Sequence, residues 1–337
     1  MARTLVALIS LLRPAQWIKN IFVFAALVFG ARRDEPEAIL LSLAAFAIFC
    51  LLSAAVYAFN DLRDYREDAL HPTKKKRPVA SGAISPATAG AVSLLLAIVG
   101  MSWSLQMSAG FALTAGCFLG LNLVYTIWGK HQVILDVILI SVGFVMRALA
   151  GAQAIEVEVS AWLVICTFTL CLFLGFGKRR CELAVLENSD RAAAHRATLA
   201  RYNPGLLTQL LATSGGIAVT TFLLYTLDPA TTFHPLVFTT PLVFYAIFRY
   251  ATVIEMGERT GPTDVLIKDK PFLFTAIAWT ILTLAFVLYG SRIEKFLPPL
   301  RYPGQMPLEQ RPEPDDTREA ENTDVDTRQH ARGDTSF

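Results

Sequence analysis

The second apolar segment of the chain ends in Asn60-Asp61-Leu62-Arg63-Asp64-Tyr65-Arg66-Glu67-Asp68. An α-helix turns by about 100° per residue, so one amide and three carboxylates of this stretch point the same way. They are Asn60, Asp61, Asp64 and Asp68. Carboxylates placed in this way repel one another unless a cation is bound, and Mg²⁺ combines carboxylate ligands with phosphate oxygens. These four residues therefore predict a magnesium site at a helix end, with Mn²⁺ as a substitute ion.

The composition of the whole chain is that of a membrane protein. Hydrophobic residues make up 54% of the 337 residues, charged residues only 17%, and the mean hydropathy is +0.46. The apolar residues come in blocks of about 20, the length that crosses a bilayer core. We predict an all-α fold, a polytopic membrane helix bundle of about nine transmembrane helices. The predicted spans are residues 16–32, 38–60, 87–107, 110–128, 132–152, 160–177, 206–227, 235–254 and 271–290, preceded by an interfacial segment at 5–12.

Lys and Arg are unevenly distributed between alternate connections. The connections rich in Lys and Arg are residues 61–86, 178–205 and 255–270, and those without either are 106–109, 153–159 and 228–234. Only the turn at 31–37, with Arg32 and Arg33, departs from this alternation. Basic connections remain on the cytoplasmic side, so we predict a cytoplasmic N-terminus and an outer C-terminus.

The connection after the acidic face is itself basic. It reads His71-Pro72-Thr73-Lys74-Lys75-Lys76-Arg77-Pro78, in which the two prolines stop the helix and stiffen the loop. Cations next to a metal site suit a diphosphate, because they neutralise the oxygens that the metal leaves uncovered. Under the alternative interpretation, Lys75 and Lys76 only set the topology.

Two charges lie inside the predicted fifth span. Asp136 and Arg147 are eleven residues apart, on one helix face but about 16 Å from each other along the axis. Charges within a membrane are costly and usually face a bundle interior or a cavity, so both are candidate functional residues. The alternative is that each forms a structural salt bridge to another helix.

A second acidic and basic helix end follows the sixth span. It reads Gly177-Lys178-Arg179-Arg180-Cys181-Glu182, in which Lys178 and Glu182 share a helix face. It lies on the same side of the membrane as the first acidic face. We therefore expect the two helix ends to hold one metal-bound diphosphate between them.

The motif at 60–68, on the second of about nine helices, resembles that of the UbiA-type superfamily of membrane prenyltransferases. The chain departs from members that prenylate aromatic rings at residues 71–74 and at 177–182, where those members have a second Asp-rich motif. Both departures are similar to the decaprenyl-phosphate phosphoribosyltransferase branch. So are the segments at 11–20, 125–147 and 264–270, and the similarity covers residues 10–290.

The resemblance implies a pentosyltransferase. The branch moves ribose 5-phosphate from phosphoribosyl diphosphate (PRPP) to a polyprenyl (decaprenyl-type) phosphate and releases diphosphate, toward arabinan-type cell-envelope polysaccharides. It implies a multi-pass protein of the bacterial inner membrane with its active site on the cytoplasmic side. The expected partners are PRPP, the lipid phosphate and the membrane, with no nucleic acid. Assembly into a homo-oligomer is left open.

Under this hypothesis, each candidate residue has a role. The expected catalytic residues are Asp61, Asp64, Asp68, Lys74, Arg77 and Asp136. The expected substrate-binding residues are Lys19, Asn60, His71, Lys74, Arg77, Tyr125, Lys130, Arg147, Lys178, Arg179 and Glu182. Which of Tyr125, Asp136 and Arg147 positions the acceptor phosphate and which the ribose hydroxyls stays open.

Two other functions compete with this hypothesis. A UbiA-type enzyme that moves a prenyl group from a prenyl diphosphate to an aromatic acceptor would use the same Asp face. A transporter or lipid scramblase would use Asp136 and Arg147 as translocation residues. Under the enzymatic hypothesis, we expect residues 1–300 to form the transmembrane UbiA-like catalytic domain. Residues 301–337 are polar without apolar periodicity, which predicts a disordered tail.

Overall fold

The computed structural model describes residues 2–30, 32–70, 74–187, 202–228, 234–256, 265 and 268–293. The described α-helices are α1 (Ala2–Leu12), α2 (Ala25–Phe29), α3 (Pro36–Leu70), α4 (Pro86–Met107), α5 (Ala109–Ile127), α6 (Leu135–Ala154), α7 (Ala161–Glu187), α8 (Pro204–Leu227), α9 (Thr240–Glu255) and α10 (Lys270–Ile293). Short 3₁₀ helices connect some of them, at Pro14–Phe24, Lys74–Lys76, Gly129–His131 and His234–Thr239.

Within the described ranges, nine helical segments are long and apolar enough to cross a membrane. They run from Leu5–Phe29, which joins α1, the first 3₁₀ helix and α2, to Lys270–Gly290 in α10. The prediction of an all-α polytopic membrane bundle is therefore confirmed. The predicted tail at 301–337, and with it the end of the catalytic domain at 300, lies outside the described residues.

Two helices extend beyond the predicted spans. Helix α3 continues to Leu70, ten residues past its predicted end at 60, and α7 continues to Glu187 instead of ending at 177. The 35 residues of α3 span about 52 Å, which exceeds a hydrocarbon core of about 30 Å. Its charged last turns therefore stand outside the core, where the helix is polar but unbroken.

The first span begins earlier than predicted, at Leu5 instead of residue 16, and includes the segment predicted as interfacial. It bends at Arg13, whose φ of 50° places a non-glycine residue in the left-handed region. Pro14 follows, which disfavours helical geometry at the residue before it. The bend separates α1 from the 3₁₀ helix and turns Arg13 toward α3.

Helices α3 and α6 form the centre of the bundle. In each of them, 56% of the most apolar stretch of 18 residues is buried inside the protein. Phe49 of α3 packs between Phe111 and Phe118 of α5, at centroid distances of 5.9 and 5.1 Å. Helix α6 presents small residues, among them Gly151, to the first 3₁₀ helix. Small residues let membrane helices approach closely. Helices α3, α5 and α7 end, and α4, α6 and α8 begin, at the same end of the bundle. We call it the basic end.

Gly151→Ala is expected to destabilise the protein. An added Cβ would collide with the carbonyl oxygen of Val23 and lie 2.8 Å from its carbonyl carbon, and backbone cannot move aside as a side chain can. We expect a loss of about 1–3 kcal/mol, the range for overpacking, measured as a fall in the thermal unfolding midpoint. Gly120→Ala is the matched control, because nothing lies within 4 Å of its added Cβ. Equal midpoints for the two variants would contradict the close approach.

Candidate active site

The carboxylates of α3 lie where the sequence predicts them, at the basic end of the bundle. Asp61 and Asp68 are buried, with 1% and 4% of their surface exposed. The side chain of Asp64, between them on the helix, is 22% exposed. Residues seven apart on a helix lie two turns from each other on the same face, and Asp64 lies about one turn from each of them. We call Asp61, Asp64 and Asp68 the acidic stripe.

The turn after α3 supplies cations to this stripe. Arg77 Nη1 lies 2.5 Å from Asp68 Oδ2 and 3.6 Å from Asp61 Oδ1, so a single guanidinium bridges two carboxylates. Lys74 Nζ lies 3.9 Å from Asp68 Oδ1. The predicted neighbourhood of acidic helix end and basic loop is therefore present.

Two further cations come from distant parts of the chain. The bend before the first 3₁₀ helix directs Arg13 to Asp61, where Nη2 donates a hydrogen bond to Oδ1. The same guanidinium lies over the ring of Tyr57, 5.2 Å from its centroid. Lys130, in the turn between α5 and α6, donates to Asp64 Oδ1. Each carboxylate of the stripe thus contacts at least one basic side chain.

The predicted metal site coincides with these carboxylates and their basic partners. Among the described residues, no three His, Cys, Asp or Glu side chains are grouped as a metal site. Arg77 instead lies between Asp61 and Asp68. However, Asp61 Oδ2 is buried and has no hydrogen-bond partner in the described part of the chain. An unsatisfied buried carboxylate oxygen is a ligand that a hard divalent cation prefers, so the donor set fits Mg²⁺.

The fourth predicted ligand, Asn60, has another partner. The hydroxyl of Thr126 donates a hydrogen bond to Asn60 Oδ1 at 2.5 Å and so joins α5 to α3. The carbonyl of Asn122 lies 2.8 Å from the same hydroxyl. The amide oxygen of Asn60 is therefore engaged in a contact between α3 and α5, and its role as a metal ligand stays a prediction.

The second charged cluster is buried between α6, α7 and the start of α8. Arg179 Nε lies 2.7 Å from Asp136 Oδ2, and the two side chains are 2% and 1% exposed. Arg179 Nη1 also lies 2.5 Å from Glu182 Oε2. The hydroxyl of Tyr202 donates to Asp136 Oδ1 at 2.8 Å, and burial raises the pKa of this hydroxyl, so it remains a donor.

This cluster places two predicted site residues against each other. Arg179 was expected to contact phosphate and Asp136 to act in catalysis, and the structure has them in a buried ion pair that joins α6 to α7. The pair is satisfied only while both partners are present, and the predicted roles of the two residues stay predictions. Lys178 lies 3.8 Å from Glu182 Oε1, as the helix spacing predicts, and its side chain is 47% exposed. Lys178 remains a candidate for contact with substrate.

A short turn joins the two clusters. Lys130 contacts the acidic stripe, and Asp136, six residues later, contacts Arg179 on α7. The backbone N–H of Ile134 donates to the Tyr202 oxygen at 2.6 Å and fixes this turn against the start of α8. Because of this turn, the positions of the two clusters depend on each other.

A third group of polar residues lies deeper in the bundle. Arg147 Nε donates to Asn20 Oδ1 at 2.8 Å and Nη1 donates to the carbonyl of Gly143 at 2.7 Å. Arg147 is 7% exposed, and its guanidinium lies 4.7 Å from the ring centroid of Phe118. As predicted from their spacing, Arg147 and Asp136 do not pair. Contrary to the alternative interpretation, Arg147 has no salt bridge within the described residues.

Three further predicted site residues are Lys19, Tyr125 and His71. The side chain of Lys19, in the first 3₁₀ helix, is partly buried. The side chain of Tyr125 is partly buried and lies within electrostatic range of the Arg179 guanidinium. His71 lies outside the described residues.

Four residues of these clusters had no predicted role: Arg13, Asn20, Thr126 and Tyr202. The sequence shows that Arg13-Pro14 interrupts the first apolar segment. It does not show which residue the Arg13 side chain contacts. Asn20 is adjacent to Lys19, which was a predicted site residue. An amide side chain within an apolar segment indicates a position that faces the interior of the bundle. Neither Thr126 nor Tyr202 carried a signal, because nothing local distinguishes them from other hydroxyl residues.

An apolar cavity of about 630 Å³ lies between α2, α7, α8, α9 and α10. It extends toward the end of the bundle opposite to the basic end, where Trp162 and Asp228 are joined by a 2.5 Å hydrogen bond. The aromatic residues of its wall are Phe22, Phe29, Trp162, Phe173, Phe222, Tyr225, Tyr250, Phe272 and Trp279. Cavities of this size accommodate small ligands or parts of larger ones.

Apolar spans with carboxylates and cations gathered at one end define a polytopic integral membrane protein with a charged site at that end. The chain belongs to the UbiA prenyltransferase family, whose pattern matches residues 20–266. It is therefore a membrane-bound transferase, and the predicted family is confirmed.

Two relatives extend the similarity over most of the chain. The decaprenyl-phosphate phosphoribosyltransferase of Corynebacterium glutamicum is 33% identical, over 81% of this chain and 84% of the relative. The enzyme of the same name from Mycobacterium tuberculosis is 30% identical, over 86% of this chain and 97% of the relative. The predicted similarity to this branch is confirmed.

A solved structure shares the fold. The UbiA homolog from Archaeoglobus fulgidus bound to GPP and Mg²⁺ superposes with a TM-score of 0.65 at 18% identity. The superposition covers 86% of this chain and 99% of that one.

Proposed function

We propose that this protein transfers a 5-phosphoribosyl group from PRPP to a polyprenyl phosphate, with release of diphosphate. The observation that carries the proposal is its similarity, over more than 80% of its length, to relatives named for this reaction. The geometry at the end of α3 is consistent with it, because acidic and basic side chains are interleaved there. Such a site binds a metal-bound diphosphate, which has charges of both signs.

The donor would bind at the acidic stripe. Asp61, Asp64 and Asp68 would hold Mg²⁺, which when bound supplies neutralising charge to the departing diphosphate. The cations that contact these carboxylates lie close enough to bind phosphate oxygens directly. They are Arg13, Lys74, Arg77 and Lys130. Lys178, which lies beside Glu182 on α7, would be a further cation for the substrate. Positive charge placed where the leaving group gains negative charge lowers the barrier.

The reaction exchanges one C–O bond of the ribose for another. The bond from the anomeric carbon to the diphosphate breaks, and a phosphate oxygen of the lipid forms the new bond from the opposite face. A phosphate monoester is ionised near neutral pH, so the acceptor does not need a strong general base. Asp136, the carboxylate of the second cluster, is paired with Arg179 and would not need to act as a base.

The proposal includes the location and the partners of the enzyme. The basic end would face the cytoplasm of a bacterial inner membrane, since Lys and Arg are concentrated there. The lipid product would serve as a precursor of an arabinan-type cell-envelope polysaccharide, and Mn²⁺ would replace Mg²⁺.

The test is a direct assay with purified full-length protein, ribose-labelled PRPP, Mg²⁺ and a polyprenyl phosphate. We expect the label to enter the lipid fraction, with a product mass equal to lipid phosphate plus phosphoribose. Removal of the metal with EDTA should stop the reaction, and added Mg²⁺ or Mn²⁺ should restore it. Parallel reactions contain a prenyl diphosphate with an aromatic acceptor. Prenylation of that acceptor without any use of PRPP would overturn the proposal in favour of the second function.

A further inference from the structure

We propose that Lys19 and Arg147 form the binding site for the phosphate of the acceptor lipid, separate from the donor site, and that the apolar cavity receives its hydrocarbon chain. This proposal rests on the proposed function for the identity of the lipid. It assigns the acceptor to a place in the bundle and gives Arg147 one of the two roles left open by the sequence.

The first observation is an excess of positive charge inside the bundle. Within the described residues, neither Lys19 nor Arg147 has a carboxylate partner, and the hydrogen bonds of Arg147 go to neutral oxygens. The Lys19 ammonium is partly buried and is repelled by the guanidiniums of Arg147 and Arg13. Arg13 is paired with Asp61, so among the described residues around them Lys19 and Arg147 are the two cations without a carboxylate partner. Buried charges of one sign need an anion to compensate them.

The second observation is the depth of the Arg147 guanidinium. Asn20, which accepts from Arg147, also accepts from the Ser53 hydroxyl at 3.2 Å. Ser53 lies eight residues before Asp61 on α3, which is about 12 Å along the helix axis. The Arg147 guanidinium therefore lies well inside the bundle, at a different level from the acidic stripe. A single phosphate group cannot contact both places.

The third observation is that the pair adjoins the apolar cavity. Phe22 lines the cavity, and in a 3₁₀ helix it lies on the same face as Lys19, three residues earlier. The ring of Phe22 packs on Phe144 at 5.1 Å between centroids, and Phe144 lies 5.1 Å from the Arg147 guanidinium. A cationic site followed directly by an apolar cavity matches a ligand with one anionic head group and a long hydrocarbon chain.

The donor does not match this arrangement. PRPP has phosphate groups at both ends and no apolar part, so nothing in it would fill the cavity. A polyprenyl phosphate has a single phosphate at the end of an isoprenoid chain. The cavity is apolar like the bilayer from which the isoprenoid chain comes, so the chain can enter it without exposure to water.

The experiment measures binding of a polyprenyl phosphate and of the matching polyprenol to the full-length protein without PRPP. Trp162 and Trp279 line the cavity, so tryptophan fluorescence reports the hydrocarbon chain. We expect the wild-type protein to bind the phosphate at least about tenfold more tightly than the alcohol, as charge-assisted hydrogen bonds provide. Lys19→Met should remove most of this preference and leave alcohol binding unchanged, which also shows that the variant is folded.

Two further variants complete the test. Lys76→Met removes an exposed charge of the same kind outside the proposed sites and should leave both affinities unchanged. Arg147→Lys keeps the charge and should keep part of the preference. Equal wild-type binding of phosphate and alcohol would overturn the proposal. So would a Lys19→Met variant that binds the lipid normally but needs more PRPP, because the pair would then serve the donor. A wild-type protein that binds the lipid phosphate but does not use PRPP would refute the proposed function alone.

Discussion

Asp61→Asn is expected to reduce turnover at least about 100-fold, the scale of losing one group that stabilises developing charge. Asp61 is the carboxylate with a buried oxygen that no described residue satisfies, and it is the point where Arg13 and Arg77 meet. Asparagine keeps the shape but removes the negative charge with which this carboxylate attracts a hard divalent cation. The measurement is the rate of phosphoribosyl transfer at saturating Mg²⁺ and PRPP, with purified protein.

Glu67→Gln is the control for this variant. Glu67 is an exposed carboxylate on the same helix end, so its loss removes the same charge away from the stripe. We expect its rate to equal that of the wild type. If Asp61→Asn and Glu67→Gln both retain full activity, the acidic stripe is not the donor site.

Arg179→Met is expected to produce the largest loss of stability. It leaves Asp136 buried at 1% exposure without its counter-charge, and breaking such a pair costs roughly 3–5 kcal/mol. The free energy of unfolding can be measured in mixed micelles of SDS and a mild detergent. Lys178→Met, at the neighbouring exposed position, should cost less than about 1 kcal/mol, since exposed pairs contribute little.

A double variant separates the loss of the pair from the loss of packing. Adding Asp136→Asn to Arg179→Met removes the uncompensated charge, so part of the lost stability should return. A double variant less stable than Arg179→Met alone would show that Asp136 is stabilised by other groups, such as Tyr202.

The membrane fold was predictable from the sequence because its signal is strong. Helices that cross lipid must be apolar for about 20 residues. Each such segment therefore predicts a transmembrane helix by itself, without information about its neighbours. The ends of the helices were less predictable. Hydropathy falls at residue 60, yet α3 continues to Leu70, because salt bridges of Asp61 and Asp68 support a polar helix outside the apolar core.

The candidate site was predictable only where its residues share one helix. Spacing placed Asp61 and Asp68 on one face and paired Lys178 with Glu182, and the structure agrees. Helix spacing cannot predict partners that lie on different helices. No local pattern shows that Arg179 contacts Asp136, which is 43 residues away. Charges that look alike in the sequence thus divide into buried pairs and accessible cations only after the helices are packed.

The turn from Lys130 to Asp136 also limits where deletions and chimaera junctions are tolerated. The residue at one end contacts the stripe on α3 and the residue at the other contacts α7, so the number of residues between them is set by both contacts. Deleting one residue there would rotate Asp136 by about 100° around α6, away from its partner. Chimaeras assembled from related enzymes should therefore exchange α5 and α6 as one block and place their junctions elsewhere.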